Sequence, residues 1–314
     1  MMIENYRKEI LKYLFSVKSF SEAWEKSWKN KIQDLLQDKE NITEEKLIKI
    51  GENAREMFLT TGGDSRGQGD VSSAGTAWES FLAWYLNLGL IGTRTLVLKP
   101  KKEFNFKCIQ NVVSVNYGEF ISSSETDLIA ITFPKKEEVA YTEYDLKSFE
   151  GRVFSINELQ NPQDFNLKKM NEYLNRILEN NISKIKINVI QCKTNWNDNA
   201  QIPMGWDMIY SSTGFTSKDI SIGKDGFSIH KVNEFKYSFI TVPTQKDLNT
   251  FKETSTSVLR VKRLSGKNFW GAKTKDNVAQ SIGDIFNENF KESFNEVKFE
   301  KRIKIDNLSE FKLF

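Results

Sequence analysis

Two segments carry residue types and spacings that could perform chemistry. The first is Ser124-Glu125-Thr126-Asp127 running into Leu128-Ile129-Ala130-Ile131; the second is Ile187-Asn188-Val189-Ile190-Gln191-Cys192-Lys193. Each reads as a buried strand with hydrophilic groups at one end. In the second, Gln191 and Lys193 share parity with Ile187 and Val189, so they point to one face about 6–7 Å apart. An acid on one strand beside an amide and a lysine on its neighbour could hold a divalent metal against a phosphate. Mg²⁺ takes hard oxygen ligands and keeps several waters, so one or two carboxylates and the phosphate itself suffice. In that arrangement Asp127 anchors the metal, while Gln191 gives it a side-chain oxygen or orients a water. The carbonyl of Cys192 completes the shell, and Lys193 orients or deprotonates the attacking water. Taken singly, Asp127 reads equally as a turn cap before its strand, and Lys193 as a strand end reaching solvent.

Together the segments resemble the PD-(D/E)XK nuclease superfamily, the fold of most type II restriction endonucleases. Thr126-Asp127 stands at the first motif and Gln191-Cys192-Lys193 at the second, with Gln in place of the usual acid. The resemblance implies an enzyme that hydrolyses phosphodiester bonds in double-stranded DNA with Mg²⁺, working as a homodimer so that both strands of a symmetric target are cut. It also points to Glu79, on the helix before the strands, as a further catalytic carboxylate and metal ligand. Thr76-x-x-Glu79 is at the same time a capping box, with Glu79 reaching back to the backbone of Thr76, and both readings stand. A structure-specific or nicking nuclease of the same fold, or a non-catalytic DNA-binding protein, are the alternatives.

Candidate DNA contacts are Arg66 in the glycine-rich stretch 61–70, Asn195 and Asn197 after the lysine, and Arg260, Lys262, Arg263 and Lys267 near a glycine turn. Asn suits adenine edges, and Arg or Lys suits phosphate and guanine. Each also fits a plain solvated loop or face. Gly266-Lys267 lacks the spacing of a P-loop, and the single histidine, His230, has no nucleophile elbow around it.

The elements that must position these groups follow from periodicity. Residues 1–60 read as helices with Ile10, Leu11, Leu14, Phe15, Trp24, Trp28 and Ile32 facing inward, the second opened by a Ser19-x-x-Glu22 box. Residues 61–70 read as a loop, and Thr76 to Leu88 as a strongly apolar helix. Strands are expected at 93–98, 108–115, 127–133, 185–193, 237–242 and 257–261. Helices are expected at 168–178, from Trp206, and through Val278, Ile282, Ile285 and Phe286. The stretch between Phe133 and Ile185 is too long for a simple hairpin. This order predicts an α/β fold with a mixed central sheet flanked by helices and a helical N-terminal region. It is expected as one domain over 1–314: helical to residue 70, a catalytic core over 71–215, and a recognition and dimerisation segment over 216–314.

Composition bounds the partners. The 45 basic and 42 acidic residues leave a net charge of +3, so a DNA-binding surface has to be local. The two cysteines, Cys108 and Cys192, suit buried reduced thiols. No apolar run approaches the ~20 residues of a membrane span. The first twenty residues read as an amphipathic helix, not a signal peptide, and a cytoplasmic location is expected.

Overall fold

Strands whose residues are apolar at every position need cover on both faces, and that requirement organises this chain. A computed structural model describes residues 2–38, 41–60, 68–123, 126–135, 147–149, 152–153, 166–194, 198–212, 220–303 and 308–313. The central sheet contains β1 (Thr95–Leu98), β4 (Leu128–Thr132), β7 (Lys186–Lys193), β9 (Glu234–Thr241), β10 (Asn268–Trp270) and β11 (Gln280–Ser281), in that spatial order. β1, β4 and β7 pair antiparallel, and β7 through β11 pair parallel, so the sheet is mixed as expected. A smaller sheet joins β2 (Ser114–Tyr117) to β3 (Phe120–Ser123) and β8 (Ile220–Ile222); β5 (Lys147–Phe149) and β6 (Arg152–Val153) pair within the 133–185 excursion.

Helices cover both faces. α1 (Met2–Ser16), α2 (Lys18–Ala23), α3 (Lys29–Leu36), α4 (Glu44–Glu52) and α5 (Ala54–Leu59) surround α6 (Gln68–Gly89). α6 buries Trp78, Phe81, Leu82, Trp84, Tyr85 and Leu86, and a helix apolar on all sides must lie between layers. Its Trp84 meets Trp24 and its Phe81 meets Trp28, while its other side packs on β1 and β7. A π-helical turn, Trp24–Trp28, brings both tryptophans inward at a spacing of four. On the opposite face of the sheet lies a helix we call α9 (Gln201–Ser211), after α7 (Lys107–Val113) and α8 (Leu167–Asn180). Tyr210 of α9 stacks on Tyr237, which is the register partner of Val189 in β7. One cluster of buried side chains runs from Tyr6 to Leu313 and ties N-terminal helices, sheet and C-terminal segment together.

Several elements differ from the sequence expectation. Residues 108–115 divide into α7 and β2, because Cys108, Ile109, Val112 and Val113 recur at a helical period that a short apolar run cannot separate from a strand. Residues 257–261 lie in helix α10 (Thr256–Val261), whose Val258 and Val261 face the core three residues apart. α6 begins at Gln68, so residues 68–70 are helical, and Thr76 is interior: its carbonyl accepts the Ser80 hydroxyl. The Thr76–Glu79 capping box therefore does not form. Nor does the Ser19–Glu22 box, since α2 starts at Lys18 with Val17 as its N-cap. The helix expected through Val278 is instead β11, a 3₁₀ turn (Ile282–Asp284) and a short helix (Ile285–Glu288), with Ser281 and Asp284 forming a capping box. α9 begins five residues before Trp206. Both cysteines are buried and unpaired. Among the described residues no helix is long and apolar enough to cross a membrane.

Candidate functional site

The site arises where one strand stops before its neighbour does. β4 begins only at Leu128, opposite Ile190, but β7 continues to Lys193 on its β9 side, where Gln191, Cys192 and Lys193 pair with Phe239, Ile240 and Thr241. The carbonyl of Lys193 accepts from Val242 N–H across that β9 edge at 3.2 Å. Backbone groups of successive residues face opposite edges, so Cys192 presents its N–H and C=O toward the edge that β4 has vacated. Asp127, the residue before β4, fills half of this gap: its Oδ2 accepts the Cys192 N–H at 2.7 Å. A carboxylate and a main-chain carbonyl, both hard oxygens, thus stand together at one break in the ladder.

A second carboxylate comes from the helix layer. Glu79 projects from α6 and pairs with Lys99, just past β1, at 2.6 Å. The lysine side chain is 9% exposed and the glutamate 22%, so this pair is largely withdrawn from solvent. Lys99 was not among the residues expected from sequence. A lysine directly after an apolar strand is too common a strand ending to carry a signal.

The thiol of Cys192 reports how these charges gather. Burial pushes its pKa well up; the negative charges of Asp127 and Glu79 push it further, and the positive charges of Lys99 and Lys193 oppose them. Two carboxylates and two ammonium groups therefore act on one buried sulfur. No family model matches this chain, and no curated protein is similar to it.

Gln191, expected as a metal ligand or water-orienting group, follows Ile190 in β7. Its side chain is 0% exposed, and its Oε1 accepts from the Tyr237 hydroxyl at 3.3 Å. That contact lies on the α9 face of the sheet, among Tyr237 and Tyr210. Lys193 shares the parity of Gln191 and is half-buried at the strand end.

The oxygen donors that suit Mg²⁺ are accordingly the carboxylates of Asp127 and Glu79 and the carbonyl of Cys192, with water and phosphate making up the rest. Among the described residues, no group of three or more His, Cys, Asp or Glu side chains is placed to hold a metal ion. Oxygen donors of this kind suit a hard cation such as Mg²⁺ and not zinc.

The expected DNA contacts fall into two groups. Arg66, Asn195 and Asn197 lie outside the described residues, as does Glu125. Arg260 and Lys262 follow helix rather than strand geometry, so they are not alternate residues of one strand edge. Lys262 pairs with Glu253 at 3.7 Å and Lys267 with Glu288, whereas Arg263 is exposed. This turn is fastened to α9: Asp207 accepts from both N–H and Oγ of Ser265, at 3.2 and 2.5 Å. Burial raises the Asp207 pKa, against the pull of the Ser265 hydrogen bonds.

Proposed function

We propose that the protein is a Mg²⁺-dependent endonuclease that hydrolyses phosphodiester bonds of double-stranded DNA, in the manner of a type II restriction enzyme. The observation that carries this reading is the break beside β4, where the Asp127 carboxylate holds the Cys192 N–H and stands next to its carbonyl. Asp127 and the Cys192 carbonyl would hold the cation, with Glu79 as the second carboxylate. Mg²⁺ bound there would lower the pKa of a water and offset charge at phosphorus. Lys193, at the end of β7, would orient the water and stabilise the phosphate oxygens through its ammonium group. Cutting both strands of a symmetric site with one centre per chain calls for a second copy, and the Arg260–Lys267 segment offers phosphate contacts. A cytoplasmic location accords with such a role.

A second reading has its own support. The Gln191 oxygen accepts from the Tyr237 hydroxyl, and Glu79 is already paired with Lys99, which suits a DNA-binding protein without cleavage.

Digestion of supercoiled plasmid with and without Mg²⁺ separates the readings. Discrete fragments support the restriction-like enzyme, a relaxed circle supports a nickase, and intact plasmid with retained DNA binding supports the binding protein. Lys193→Ala should lower cutting by at least about 10²-fold with DNA affinity kept. Normal cutting by that variant would remove Lys193 from the chemistry.

A further inference from the structure

Lys99 poses a question that the nuclease reading leaves open. Its ammonium is withdrawn from water, and its ionic partner, Glu79, is the carboxylate that the reading needs for a cation. A largely buried ion pair is a poor source of stability, since desolvation offsets most of the attraction and apolar replacements often serve as well. The pair also sits where its charge matters. Leu98, the residue before Lys99, pairs with Ile129, two residues after Asp127, so the pair lies beside the strand end where Asp127 holds the Cys192 N–H. Summed over the site, Asp127 and Glu79 are balanced by Lys99 and Lys193, which leaves no net negative charge to attract a divalent ion.

Resting on that reading, we propose that Lys99 is a positioning residue that holds the Glu79 carboxylate at the sheet edge and yields it to a divalent cation, so that Lys99 sets the affinity of the site for the ion. The geometry accounts for both halves of this role. Lys99 projects from just beyond β1, whose Leu98 is the register partner of Ile129, so it is anchored by the same strand that Asp127 precedes. A 2.6 Å pair holds Glu79 in one orientation without a metal. The same positive charge repels an arriving cation until the lysine moves off.

Two measurements on the full-length protein test this. In the first, lysines of the wild-type protein are reductively methylated with and without Mg²⁺ and read by mass spectrometry. Lys99 should become several-fold more reactive with Mg²⁺, and unchanged reactivity overturns the proposal whatever any variant does. In the second, Mn²⁺ is titrated calorimetrically into wild type, Lys99→Met, Lys99→Arg and Asp127→Asn. Lys99→Met should bind the ion about tenfold more tightly, as expected for loss of a like charge a few ångströms away, and Lys99→Arg should behave as wild type. Equal binding by Lys99→Met and wild type, with binding lost in Asp127→Asn, overturns the role of Lys99 and leaves the nuclease reading standing. If Asp127→Asn binds Mn²⁺ as wild type does, the metal site and the role of Lys99 fall together.

Discussion

The two ends of β7 both gather lysines and glutamates, yet they are built differently. At the Lys186 end the charges answer one another across the sheet surface. Lys186 lies 3.0 Å from Glu234 and 2.9 Å from Glu292, and Lys236 lies 2.6 Å from Glu234. They line a cleft of about 210 Å³ with Thr132, Asn289 and Ser293. The ladder beneath them is complete, because β4 still pairs with β7 at Thr132 and Lys186. At the Lys193 end the ladder is broken, and a carboxylate and a main-chain carbonyl meet at the break. The cleft has more charges over a closed backbone, whereas at the broken end a side-chain carboxylate takes the place of a strand partner. Interrupted strand pairing, more than cavity size or charge count, marks the candidate site.

That contrast can be broken in order of expected effect. Asp127→Asn keeps an oxygen to accept the Cys192 N–H, so thermal stability should change by no more than about 1 kcal/mol. Its cutting rate should fall by about 10³-fold, because the carboxylate charge is gone. An asparagine variant that melts and cuts like wild type would reduce Asp127 to a strand cap.

Gln191→Glu, which adds a carboxyl group at the end of β7, should do harm. It places a carboxyl group at a fully buried site facing Tyr237, and we expect a loss of about 3 kcal/mol in denaturant unfolding. Divalent-ion affinity should stay unchanged, since the side chain at 191 is buried against Tyr237. Tighter Mn²⁺ binding by this variant would mean that position 191 reaches the gap after all.

The smallest effect belongs to the Lys186 end. The hydrogen bond from Lys186 holds the Glu292 carboxyl below its usual range. Burial pushes Glu234 up, but hydrogen bonds from Lys236 and Lys186 outweigh it and leave its pKa lowered as well. Carboxylates with lowered folded pKa values add stability above their unfolded pKa of about 4.3, and that stability is lost as pH falls through the folded values. Lys186→Met should therefore flatten the acid side of the melting-temperature profile below about pH 4.5. Glu292 is 64% exposed, so screening keeps the effect under about 1 kcal/mol. A Lys186→Met profile that matches wild type down to pH 3 would show that the surface pairs contribute nothing.

Much of the site was legible because strand chemistry is local. Alternation placed Gln191 and Lys193 on one face, and an acid heading an apolar run put Asp127 at the end of a buried strand. Glu79 was legible only as one of two readings. The capping box vanished because α6 extends eight residues further toward its N-terminus than its apolar pattern suggests, which leaves Thr76 interior. Lys99 was invisible, since its partner lies twenty residues away on another layer. The short runs at 108–115 and 257–261 were misassigned because four or five apolar residues fit both periods, and packing makes the choice.

Sequence alone determined the layered α/β character, the apolar central helix and the pair of strands with hydrophilic ends, because hydrophobic periodicity acts over a few residues and needs no partner. Tertiary structure alone decided that β4 stops two residues short of the Cys192 amide, that Asp127 fills the gap, that Gln191 turns to Tyr237, and that Lys99 holds Glu79. Those outcomes depend on strand register and on which distant side chains are buried together. A hydrogen bond across 65 residues of chain is set by the packing that brings its ends together.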